Sequence, residues 1–181
     1  MKLMRVMIGI LSVFMGVLSL GCSQYAHVKY AINDNVHDYR LPYQQGLVHK
    51  EDNHLRILLQ FHRSEQMFKY DSGERIYVYL VGDAKAFYSG QKNDHIKGFL
   101  IRVQRAGMAG PLSIKNIQIR KDVGESISGT VLSGDISPEQ DVNRNFELTF
   151  SHLPLRFVED IDGLMMQVPE YDKAILKERF L

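Results

Sequence analysis

Between Leu55 and Phe150 apolar residues recur at every second position in one short segment after another, and this period constrains the fold more than any other feature of the chain. A period of two sends successive side chains to opposite faces, so each segment reads as a strand with one face toward a core. Leu55, Ile57, Leu59 and Phe61 share a face, opposed by Arg56, Gln60 and His62. Residues 75–81 are apolar on both faces, Ile76, Val78 and Leu80 against Tyr77, Tyr79 and Val81, which marks a central strand covered on both sides. Ala26, Val28, Tyr30 and Ile32 alternate in the same way, as do Phe99, Ile101 and Val103, which are expected to point inward; Gly98 beside them signals a bulge or a closely packed neighbour. The phase changes between Ile114 and Ile117, so a β-bulge is expected near Lys115 and Asn116. Residues 126–132, rich in Ser and Gly, read as an edge strand, and Leu155-Arg156-Phe157 after Pro154 as a second, short one.

Helix is scarce. Asp83 suits the cap of a single turn over 84–88, and Tyr171, Ala174, Ile175 and Phe180 stand at roughly helical spacing near the end. About eight strands with so little helix predict a mainly β domain. The expected architecture is a single antiparallel β-sandwich, immunoglobulin-like or transthyretin-like, with a short C-terminal helix; the runner-up is a partly open barrel with a cavity.

Residues 33–54 show no sustained period and carry Asn33-Asp34-Asn35, Pro42 and Gly46, so they read as the longest irregular stretch. Binding residues concentrate in loops on rigid sheets, and an exposed Tyr adds large contact area, which makes Tyr39 and Tyr43 the candidate binding residues. His49, Glu51, Asp52 and His54 have metal-ligand chemistry, but the His-x₄-His spacing fits neither a helical i, i+4 pair nor a zinc-finger pattern. Glu159-Asp160-Ile161-Asp162-Gly163 fails as a calcium loop, since a register ending in Gly163 puts Val158 first and Pro169 last. Gly107 and Gly110 are followed by a strand and not by the Lys-Ser or Lys-Thr of a phosphate loop. The sequence Gly124-Glu-Ser126-Ile-Ser128-Gly129 has its second glycine one place late for a nucleophile elbow. Catalytic residues, metal ligands and cofactors are therefore not assigned, and an enzyme is not expected.

At the N-terminus Lys2 and Arg5 precede an uncharged apolar run, residues 6–20, which ends at Gly21-Cys22-Ser23. A run of about fifteen residues is short for the roughly twenty that span a bilayer and has the form of a secretory signal. Cys22 is the only cysteine, so no intrachain disulfide can form, and a single thiol in an exported chain calls for another role. Ser19-Leu20-Gly21-Cys22 resembles the lipobox of bacterial lipoprotein precursors: Gly21 and Cys22 occupy the family's positions, while Ser19 and Leu20 stand where Leu and a small residue are usual. The resemblance implies a diacylglyceryl thioether on Cys22, cleavage before it and acylation of the new amino terminus. Residues 1–21 are then signal peptide and 22–181 a lipid-anchored domain. Ser23, in place of the Asp that favours inner-membrane retention in that family, implies the periplasmic face of the outer membrane.

Loss of the signal removes Lys2 and Arg5, two of 22 basic residues, and none of the 21 acids, so neither nucleic acid nor an anionic surface is indicated by net charge. Two functions follow as expectations. One is a protein-interaction or assembly module that contacts another envelope protein through a sheet edge or through residues 33–54. The alternative is a periplasmic carrier or sensor of an apolar or aromatic ligand, suggested by nine Tyr, nine Phe and eight Met. A contiguous apolar cavity favours the carrier, and a filled core with an exposed strand edge favours the module.

Overall fold

The computed structural model describes residues 25–32, 35–63, 74–88, 95–104, 107–137, 142–165, 168, 170, 172–174 and 176. They form nine strands, β1 (Ala26–Ile32), β2 (Asn35–Leu41), β3 (Tyr43–Glu51), β4 (His54–His62), β5 (Arg75–Asp83), β6 (Lys97–Gln104), β7 (Gly107–Lys121), β8 (Ser126–Ser137) and β9 (Val142–Val158), with two short helices, α1 (Ala84–Phe87) and α2 (Ile161–Met165). The chain is mainly β.

All nine strands belong to one sheet in the order β2-β1-β9-β3-β4-β5-β6-β7-β8, and β8 also pairs with β9. The last pairing closes seven strands into a ring, so the expected sandwich gives way to a barrel. Alternation decides which faces are buried, whereas closure is decided by β9, which carries three partners along 17 residues. Its first half lies between β1 and β8, with His27 opposite Thr149 and Thr130 opposite Thr149 on the other side. Its second half runs parallel to β3, with Gly46 opposite Leu155 and His49 opposite Val158. The change of partner follows a bulge in which Ser151 and His152 together face Ser128, and the extra residue bends the strand. Neither expected edge strand is an edge: β8 is paired on both sides, and residues 155–157 are interior to β9.

The barrel is filled from all sides. Ile57, Leu59 and Phe61 meet Ile76, Val78 and Leu80 of the central β5, Leu100, Ile117, Ile119, Val131, Leu148 and Phe150 in one buried cluster. On β6 the inward residues are Leu100 and Arg102; Phe99, Ile101 and Val103, expected inward, belong to the outer cluster instead. Both faces of that strand are covered, so periodicity cannot tell inside from outside. A Cβ on Gly98 would come within 2.0 Å of the Tyr79 carbonyl oxygen, the close neighbour its position suggested. The bulge in β7 lies where the phase shift puts it, between Ile114 and Asn116.

Leu164, Met165, Val168 and Leu176 cover the outer cluster, which also holds Leu47, Leu58, Tyr77 and Tyr79. Arg75 grips Asp172 with both Nε and Nη2, at 2.7 and 3.1 Å, and the Tyr77 hydroxyl donates to the same carboxylate at 2.6 Å. Residues 172–174 and 176 are helical, in line with the C-terminal helix. Asp83 caps α1 by accepting from the Lys85 amide at 2.8 Å.

The irregular stretch at 33–54 is replaced by β2, Pro42 and β3. Asn35, Val36, His37 and Asp38 are all exposed, and Gln44, Gln45 and Gly46 follow in β3, so neither strand shows clean alternation. Asp52, at φ 53°, makes the turn into β4, a left-handed conformation that Asp tolerates better than most residues.

Candidate functional site

The feature that stands apart from the closed ring is the β1–β2 hairpin. β1 is held by β9, but β2 ends the sheet, and among the described residues no strand pairs with its outer edge. Its inward residues Tyr39 and Leu41, with Ala26, Val28 and Tyr30 of β1, pack into the interior cluster.

A charged cluster holds the hairpin there. The Tyr39 hydroxyl donates to Oε1 of Glu74, and Arg102 donates its Nε–H to the same oxygen. The Arg102 guanidinium lies 4.0 Å from the centre of the Tyr30 ring, and Arg63 lies 5.1 Å from that of Tyr39. Tyr30 is in turn stacked on His37 at 4.5 Å and on Phe146 at 6.5 Å. Glu74 and Arg102 are 6% and 8% exposed, so each depends on the other for compensation of its charge.

Burial, reinforced by the hydrogen bond to Glu74, pushes the Tyr39 phenol well above its ordinary range; burial and the Asp172 charge do the same to Tyr77. Both phenols are therefore favoured neutral in the folded chain. Their contribution is fully present below the unfolded Tyr value of about 10 and is lost as pH rises above it toward the folded values. Urea midpoints should fall between about pH 10 and 11, and Tyr39→Phe with Tyr77→Phe should flatten that fall. An unchanged slope in the double variant would contradict this assignment.

Of the two residues named from the sequence, Tyr39 is half-buried in this cluster, whereas Tyr43 is half-buried with its ring stacked 5.4 Å from His62 of β4. What sequence reasoning missed is the edge beside Tyr39. Val36 on it is 58% exposed, and Asp38 is bound by His27 of β1. β2 has seven residues with neither proline nor bulge to interrupt its edge, and exposed Asp38 and Arg40 are the charges that it carries. The usable signal was Tyr39 and Leu41, two places apart before Pro42, but the polar residues ahead of them hid a strand.

Elsewhere Asp122, Ser128 and His152 lie together without forming a triad. A nucleophilic serine passes its proton to histidine, with the carboxylate behind the imidazole. Here Ser128 donates directly to Asp122, and its oxygen accepts the His152 backbone N–H at 3.0 Å, while His152 Nδ1 is 3.4 Å from the same carboxylate. The group closes the β9 bulge, where His152 has φ 49°. An open cleft of about 690 Å³ is lined by His54, Asp83, Lys85, His95 and Lys97, with Asp83 engaged by Asn53 and the Lys85 amide. Among the described residues no three His, Cys, Asp or Glu side chains form a metal-binding group.

No protein-family model, no curated protein and no solved structure matches this chain.

Proposed function

We propose that this is a lipid-anchored cell-envelope protein, held through Cys22 at the periplasmic face of the outer membrane, whose barrel serves as an interaction or assembly module. The observation that carries the reading is the outer edge of β2, with which no strand among the described residues pairs, beside a filled barrel. The N–H and C=O groups along such an edge are completed by an extended segment of a partner, which joins as an additional strand; main-chain hydrogen bonds give affinity and alternate side chains give selectivity. Tyr39 holds β2 against the barrel in this scheme, and the exposed half of Tyr43 is the candidate for direct contact. The carrier reading has less support, because Leu59, Val78, Leu80, Val131 and Leu148, all fully buried, occupy the interior that a ligand would need.

A photo-crosslinking residue placed at Val36 in intact cells should give a discrete adduct, and the same residue at Lys115, exposed on β7, should not. The adduct should be lost with Cys22→Ala, which releases the domain from the membrane. Equal labelling from both positions would rule out the β2 edge as the contact.

A further inference from the structure

We propose that the outer wall of the barrel around the start of β1, centred on Tyr25 and Arg40, rests on lipid headgroups, so that the opposite wall, with β5 and β6, faces away from the bilayer. This rests on the reading of Cys22 as the lipid-bearing residue and adds the orientation of the domain to it.

Covalent reach sets the geometry. Three residue steps separate Cys22 from Tyr25, and even fully extended they span at most about 11 Å. The start of β1 is thus kept at the membrane surface. It does not lie at an end of the barrel: His27 is opposite Thr149, near the middle of β9. The interior behind it is packed, so only the outer face of the wall is open to a membrane. A short tether at mid-height brings the side of the barrel, not its mouth, to the bilayer.

The side chains there suit a headgroup layer. Tyr25 is 39% exposed, with the Arg40 guanidinium 5.8 Å from its ring centre. Among the described residues Arg40 has no carboxylate partner. Of the nearby acids, Asp38 is hydrogen-bonded to His27, and both Asp38 and Glu147 stand opposite Lys29 in the sheet. Thr149 and Ser151, exposed on the adjoining stretch of β9, and half-buried Thr130 on β8 add no charge. Tyrosine rings favour the level of the headgroups, and a guanidinium offers a forked pair of donors to a phosphate. Across the ring, Lys97 on β6 is exposed.

The test uses lipidated protein extracted from membranes and reconstituted into vesicles of phosphatidylethanolamine and phosphatidylglycerol in equal parts, with a trace of lipid carrying a nitroxide on its headgroup. Fluorophores are attached at Thr149→Cys or at Lys97→Cys, Cys22 being occupied by its thioether. Quenching is expected to be several-fold stronger at 149 than at 97. Tyr25→Ser with Arg40→Glu should bring the signal at 149 down toward that at 97, with acyl mass and membrane recovery unchanged. Equal quenching at the two sites in acylated protein, or a signal at 149 indifferent to the double substitution, overturns the orientation and leaves the anchor standing. Absence of acyl mass overturns both.

Discussion

Leu80→Ala should lower stability by about 2–5 kcal/mol, the range for a large-to-small change in a packed interior. Leu80 is fully buried at the centre of β5, opposite Ile57 of β4 and Gly98 of β6, and belongs to the cluster that fills the barrel. Its neighbours are strands closed into a ring, which limits how far they can collapse into the space left behind. Arg56→Ala is the comparison. Its guanidinium is partly exposed, 3.4 Å from the Tyr79 hydroxyl and 3.8 Å from Glu51, and contacts of that kind contribute below about 1 kcal/mol. Denaturant midpoints that shift equally for the two variants would mean that the interior is assigned to the wrong face of β5.

The second large effect is expected at the Glu74–Arg102 pair. Glu74→Ala should cost about 3–5 kcal/mol, because it leaves the Arg102 guanidinium buried without a counter-charge and takes away the acceptor of the Tyr39 hydroxyl. Replacing both members, Glu74→Leu with Arg102→Met, should restore most of the loss, since an apolar pair of similar volume avoids the desolvation of two charges. A double variant as unstable as Glu74→Ala alone would show that the ion pair is not the origin of the effect. Because Tyr30 and Tyr39 both meet this pair, the single variant should also loosen the β1–β2 hairpin and increase hydrogen exchange along β2 before the rest of the barrel opens.

Much of this fold is legible in the sequence wherever one face of a strand is buried and the other is not. The second half of β7 follows its alternation, and the shift between Ile114 and Asn116 appears as the bulge that it implies. On β4, Leu55, Ile57, Leu59 and Phe61 face the interior as read, but Leu58, Gln60 and His62 on the opposite face, where alternation puts His62 in solvent, are buried as well. The central position of β5 is legible for a different reason, namely that it is apolar on both faces. Where the sheet closes is not legible. Nothing local in Leu155, Arg156 and Phe157 announces a parallel pairing with β3, a strand more than a hundred residues earlier in the chain, and that pairing together with β8–β9 closes the barrel. Gly129 misled for a similar reason. Its small size weakens a strand in isolation, yet a Cβ there would lie 2.4 Å from the Gln118 carbonyl oxygen, so it permits the close pairing of β7 with β8.

The candidate site was legible only in fragments. Tyr39 stands out in sequence as an aromatic among polar residues, which fits a binding loop as well as it fits a ring turned into a barrel. Its partners Glu74 and Arg102 lie 35 and 63 positions further along and carry no shared pattern with it. The β2 edge is hidden because exposed edge strands lack the very alternation by which strands are recognised. Cys22 is the opposite case, a short local signal that is readable without any fold.

The anchor at Cys22 is tested most directly by the intact mass of the protein extracted from the membranes of its host, with the mass of its N-terminal peptide. The expected chain begins at Cys22 and carries a diacylglyceryl group and an amide-linked acyl chain, and Cys22→Ala is expected to shift to the soluble fraction. A mature chain that begins at any other residue, or a Cys22 without acyl mass, would contradict the anchor.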